Sequence, residues 1–158
     1  MSSTVLTHYN GQGTSITCTL NSLANGSARQ STDVDNTSNL YDDYLLTGKF
    51  KSASGSLGSN PRVDLYLSAT ENGTDWIDGA TGSDAAFTMP MTPNLRYLGS
   101  VYISTAATAT TDVFSISRAF GGNIPPKWSV ICVNNTGLAL DSSAGGSLTQ
   151  TGITQTVG

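Results

Sequence analysis

Hydrophobic and polar positions alternate with a period of two along most of this chain, in short segments broken by polar turns. From Ser15 to Leu20, Ile16, Cys18 and Leu20 share one phase. From Tyr44 to Phe50, Tyr44, Leu46, Gly48 and Phe50 share a phase, with Lys49 and Lys51 opposite. Arg62 to Ala69 sets Val63, Leu65 and Leu67 against Asp64, Tyr66 and Ser68. Alternation of this kind predicts strands with one face buried and one in water. Arg96–Ser104 and Asp112–Phe120 read the same way. Lys127–Asn134 is the most apolar run and predicts the most buried strand. Leu148–Val157 alternates weakly, as a final strand or an extended tail.

The segments between are turn chemistry. Asn21 to Asn39, rich in Ser, Asn and Asp, predicts a long loop with a functional or mobile role. Asn72-Gly73 and Asn134-Asn135-Thr136-Gly137 predict hairpin turns, with return strands beginning at Trp76 and Leu138. The sum is about eight strands without a helix, which predicts an all-β antiparallel sandwich, with a jelly roll preferred over an immunoglobulin-like Greek key. No internal repeat is visible. A chain of 158 residues suits one domain. We place the sandwich at residues 15–141, with an N-terminal arm at 1–14 and a C-terminal strand or tail at 142–158.

Composition narrows the function. Charged residues make up 11% of the chain, against a usual level of about 25%. Ser and Thr together supply 43 residues (21 Ser and 22 Thr). A net charge of −4 argues against a nucleic-acid partner, which needs a basic face. The longest apolar run is Val130–Val133, so no membrane-spanning segment is expected. Met1 to Val5 carries neither a basic start nor an apolar core, so a secretory signal is not expected and synthesis in a cytoplasm is. Cys18 and Cys132 lie in apolar segments, which predicts free thiols, with an inter-sheet disulfide as the alternative.

Candidate chemistry is sparse. Activating a Ser or Cys nucleophile needs a neighbouring base, and the single histidine, His8, falls in the N-terminal arm. No G-x-S-x-G elbow occurs. Glu71 with Asp75, and Asp42 with Asp43, are paired carboxylates at turns, where Asp bonds to nearby backbone amides rather than serving as a general acid. Asp33-Val34-Asp35-Asn36 opens like a calcium loop, but its sixth and twelfth positions are Ser38 and Tyr44 instead of Gly and Glu. An irregular calcium site from Asp33, Asp35, Asp42 or Asp43 is the one metal alternative; neither metal nor cofactor is expected. Trp76, following a turn, together with Tyr66 or Tyr102, offers a ring platform for a ligand such as a sugar. Trp128 opens an apolar strand and is expected in the core. The candidate ligand or interface residues are therefore Trp76, Tyr66, Tyr102, Asp33 and Asp35, and the reading is of a protein that is not an enzyme.

Five pieces between Val63 and Leu140 carry a family resemblance: Val63-Asp64-Leu65-Tyr66-Leu67, Asn72-Gly73-Thr74-Asp75-Trp76, Tyr97-Leu98-Gly99-Ser100-Val101, Phe114-Ser115-Ile116, and the run from Ile124-Pro125-Pro126-Lys127-Trp128 through Asn134-Asn135-Thr136-Gly137-Leu138-Ala139-Leu140. This half of the chain resembles small structural proteins of tailed-bacteriophage virions. The resemblance implies a β-sandwich that decorates or cements the capsid, with tail or head-fibre placement as the alternative. It implies no catalytic residues. The partners it implies are the major capsid protein and further copies of the chain, a homotrimer first and a dimer second, at the capsid surface. A carbohydrate-binding β-sandwich module is the competing class.

Overall fold

The computed structural model describes residues 3–158. It holds ten strands: β1 (Val5–Ile16), β2 (Ala28–Gln30), β3 (Val34–Asp35), β4 (Asp43–Phe50), β5 (Arg62–Thr70), β6 (Ala85–Phe87), β7 (Arg96–Tyr102), β8 (Thr110–Ser115), β9 (Lys127–Asn135) and β10 (Gly146–Val157). A terminal sheet, containing both chain ends, runs β1-β10-β4-β8. A medial sheet runs β6-β2-β9-β5-β7, with β3 also on β9. All pairings are antiparallel.

Setting aside the short β3 and β6, the pairing is nested. The first strand meets the last, the second meets the second-last, β4 meets β8, and β5 meets β7. That nesting winds two Greek keys into a jelly roll. The core between the sheets is built by the phases read from sequence. Tyr44, Leu46, Phe50 and Leu148 come from the terminal sheet; Val63, Leu65, Leu67, Trp128, Val130 and Cys132 come from the medial sheet. A second, smaller core covers part of the outer face of the medial sheet, where Ile131 and Val133 lie under Ala80, Leu95, Trp76, Phe87 and Met89. With both faces covered, β9 is buried without a break from Trp128 to Asn134.

Several local expectations are corrected. Asn21–Asn39 is not one loop: it contributes β2 and β3, both laid against β9. The Asn72-Gly73 turn forms, with the Asn72 side chain accepting from the Thr74 and Asp75 amides. It does not make a hairpin, because β9 and β7 already occupy the two edges of β5. The chain instead enters a single 3-10 turn at Ile77–Gly79 and crosses to β6, at the far edge of the sheet. For the same reason no strand returns along β9; residue Leu140 bridges to Ser52. The strand expected to reach Phe120 ends at Ser115, where one helical turn, α1 (Ile116–Ala119), begins. Ser115 caps that turn, its hydroxyl accepting from the Arg118 amide at 3.4 Å, and the Ser117 amide donates to Asp43 at 2.8 Å. The segment read as a weak last strand is β10, which bonds β1 on one side and β4 on the other. No helix among the described residues is long and apolar enough to cross a membrane.

Candidate interaction surfaces

Asp33 and Asp35 converge on a cation that belongs to the chain. Lys127 Nζ lies 3.5 Å from Asp33 and 3.1 Å from Asp35. The Thr37 hydroxyl and amide, and then Lys127, hold the Asp35 carboxyl down at about 2. Asp42 accepts from the Gln155 amide at 2.7 Å, and Asp43 accepts from the Ser115 hydroxyl at 2.7 Å. Among the described residues no cluster of three or more His, Cys, Asp or Glu is gathered where it could hold a metal ion. Asp75 accepts from the Asn72 amide group at 2.6 Å, as a turn residue does. His8 is exposed on β1 and shares a 3.1 Å hydrogen bond with the Thr156 hydroxyl. Cys18 and Cys132 are both free thiols. The two side chains neighbour each other, and a thiol–thiol hydrogen bond with Cys18, reinforced by burial, pushes the Cys132 thiol up.

Asp84 is one of four carboxylates, with Asp35, Asp78 and Asp141, held below the ordinary value and so set to respond to acid. Asp84 bonds the Thr19 amide and hydroxyl and pairs with Arg29 Nε at 2.6 Å. Its burial disfavours the charge, but Arg29 and Thr19 outweigh that and bring it to about 2. The folded value lies below the ordinary 3.8, so its stabilisation is complete above about pH 4 and is lost as pH falls toward 2. Urea midpoints measured from pH 7 to pH 2 should stay flat to about 4 and then fall, and Asp84→Asn should make that fall shallower by the share Asp84 carries, Asp35, Asp78 and Asp141 supplying the rest. An unchanged acid limb in the variant would contradict this account.

Two surfaces stand out. The first is the tyrosine face of the medial sheet. Because Val63, Leu65 and Leu67 point inward, Arg62, Asp64 and Tyr66 point outward, joined by Tyr97, Ser100 and Tyr102 of β7. These side chains, with Asn60, line an open depression of about 400 Å³. Tyr97 is 56% and Tyr102 59% exposed. Tyr66 is half-buried against Tyr97, ring centroids 5.3 Å apart. The floor between is an ordered polar net: Asp64 accepts from Arg62 Nε at 2.8 Å, from Asn135 Nδ2 at 2.7 Å, and from the Ser100 hydroxyl, which also bonds the Tyr97 hydroxyl at 2.6 Å. Tyr66 and Tyr102 are thus brought to one face. Trp76 is not part of it: its ring packs on the second core and lies over Gly82, so closely that a Cβ on Gly82 would fall 2.6 Å from the indole. The alternation already put Asp64 and Tyr66 on one side of β5. The same alternation places Arg62 there, although it was not singled out; Tyr97, Ser100 and Asn135 were missed because their place depends on the register of β7 and β9.

The second surface is a ribbon made from the two chain ends. β10 pairs with β4 only as far as Ile153, but with β1 as far as Val157. Beyond that point Val5–His8 and Thr154–Val157 continue as two strands alone, closed by paired backbone bonds between Thr4 and Gly158. The ribbon leaves the sheet at Gly152, where the Tyr41 ring occupies the space a Cβ would need. Val5, Leu6, Tyr9 and Val157 are exposed along it. Neither β1 nor β10 contains an Asp, Glu, Lys or Arg. No family model matches this chain, and no curated protein matches it.

Proposed function

We propose that this chain is a structural virion protein that decorates the outside of a phage capsid, binding the shell of major capsid protein and stabilising it. The fold alone does not select this reading, because jelly rolls serve capsid, lectin and cupin domains alike. The ribbon is the observation that carries it. Exposed edge strands are normally blunted by charge, Pro, bulges or shortness. β8 carries Asp112, β7 carries Arg96 and a bulge opposite Leu65/Tyr66, and β6 has three residues. β1 has twelve residues, no charge, and an irregularity only between Asn10 and Thr14. Two strands with water on both faces are marginal by themselves. Such a ribbon gains stability when a neighbour adds a strand to its free edge, a recurrent docking mode. A Ser/Thr-rich surface with few charges suits permanent packing through neutral hydrogen bonds.

The test is addition of the purified chain to capsid shells that lack it, followed by electron microscopy. The expected result is density on the shell at hundreds of copies; about six to eighteen copies, all at the tail, would favour tail placement instead, from the closed symmetry of tails. A Leu6→Lys, Tyr9→Lys double variant keeps its fold, because both side chains are exposed, and weakens shell binding about tenfold or more by charging the free edge. Full binding by the double variant would remove the ribbon from the docking role. No binding by the unmodified chain would remove the reading.

A further inference from the structure

We propose that the tyrosine face is a binding site for a neutral oligosaccharide, separate from the ribbon and independent of capsid docking. Three features point to that ligand. First, the site offers rings at both ends and polar groups between. Tyr66 stands opposite Tyr97 in the β5–β7 register, and Arg62 opposite Tyr102. The two ends are therefore separated by four residues of β5, roughly 13 Å at the usual strand rise. That is the reach of a short oligosaccharide rather than of one ring. A pyranose presents a C–H face that packs on an aromatic ring and a rim of hydroxyls that both donate and accept. Tyr97 and Tyr102, each more than half exposed, supply the ring faces; Asn60, Arg62 and the tyrosine hydroxyls supply the rim partners.

Second, the floor has no net charge. Asp64 is 5% exposed and its oxygens are engaged by Arg62, Ser100 and Asn135. The one cation is thus cancelled by the one carboxylate, which suits a neutral polyol and gives neither a phosphate nor an acidic sugar an anchor. Third, the net is preorganised. Its side chains are already fixed by each other, so a ligand meets them with little ordering cost. A protein partner fits less well, because a tight protein contact centres on an apolar pocket that becomes fully dry, and here the centre is an ion pair that resists desolvation.

The test uses the intact chain and a panel of neutral oligosaccharides: cellotetraose, maltotetraose, laminaritetraose and tetra-N-acetylchitotetraose. Titration by calorimetry, with amide shift mapping by nuclear magnetic resonance, should give binding by at least one of them, with the shifts confined to β5, β7 and Asn135. Tyr97→Ala and Tyr102→Ala should each weaken it about tenfold or more. Both replaced rings are exposed, and thermal melts of the variants verify the fold. Tyr9→Ala, on the ribbon, should leave saccharide binding unchanged. The proposal is overturned if none of the four binds, if binding survives the Tyr97/Tyr102 double variant, or if the shifts fall elsewhere. It is equally overturned if the tyrosine variants lose shell binding while no saccharide binds, which would make this face a protein contact. Loss of shell binding in the ribbon variant alone bears on docking and leaves the saccharide site standing.

Discussion

Trp128→Ala is expected to destabilise the sandwich by about 3–5 kcal/mol, a large share of the about 5–15 kcal/mol that keeps a domain folded. The indole sits on β9 with no exposed surface and is the largest wholly buried side chain. It reaches across the sandwich to Tyr44 of the terminal sheet, edge to face, with ring centroids 5.4 Å apart. Tyr44 is in turn stacked edge-on against Tyr41 and donates its hydroxyl to Asn36 Oδ1 at 2.9 Å. Alanine would open a cavity where the two sheets meet, beside the Tyr44 ring that ties in Asn36 and Tyr41. The indole N–H has no hydrogen-bond partner among the described residues. Trp128→Phe therefore removes no hydrogen bond and should cost clearly less, about 1–2 kcal/mol, from lost ring volume alone. Urea titrations followed by far-ultraviolet circular dichroism would check both values, with an unchanged slope indicating that only stability moved. An alanine variant within about 1 kcal/mol of the parent would show that this contact does not hold the sheets together.

What the sequence revealed follows what burial does to sequence. β4 alternates in burial, and β5 sends Val63, Leu65 and Leu67 into the core, so the hydrophobic alternation of both is sharp, although Asp64 and Ser68 on the other face of β5 are buried as well. β9 is covered on both faces, so its apolar run is continuous. By contrast, β1 is exposed from Val5 to Tyr9 on both faces, which leaves no hydrophobic period to detect. β2 and β3 are three and two residues long, and Gln30 is buried only because its amide is answered by Thr81 from the crossing segment. The hairpin expectations failed for a related reason. Turn residues at Asn72-Gly73 and Asn135–Gly137 record local backbone conformation correctly, but which strand lies next is decided by competition for edges across the whole chain. The tyrosine face shows the same division. The shared phase of Asp64 and Tyr66 was visible along β5; the arrival of Tyr97 beside Tyr66 depends on a register shift in the β5–β7 ladder between Leu65 and Tyr66. A bulge moves every later side chain to the opposite face, and nothing in the local pattern announces it.

The second large effect is expected at Asn134, a fully buried polar residue at the end of β9. Its Nδ2 donates to the Leu23 and Leu138 carbonyls, each at 2.8 Å. Its Oδ1 accepts from the Thr136 amide at 3.1 Å and from the Thr136 hydroxyl at 2.8 Å. The backbone of the same residue bonds Gly26 and Ser27. One side chain thus ties the loop before β2 and the segment after β9 to the centre of the medial sheet. Asn134→Ala leaves buried donors and acceptors without partners, at about 1–3 kcal/mol for each that water cannot reach, so a total loss of about 3 kcal/mol or more is expected. Asn134→Asp separates bonding from shape. It keeps the size and the accepting oxygen, but it turns a second oxygen toward two carbonyl oxygens and places a charge where no cation answers it. The aspartate variant should be no more stable than the alanine variant at pH 7, and should recover part of the difference as acid protonates the new carboxyl group. Denaturant midpoints at pH 7 and pH 4 measure this directly, and hydrogen exchange should show lost protection at the Gly26 and Thr136 amides in both variants. An aspartate variant as stable as the parent at neutral pH would mean that packing, and not the two donated hydrogen bonds, fixes this end of the fold.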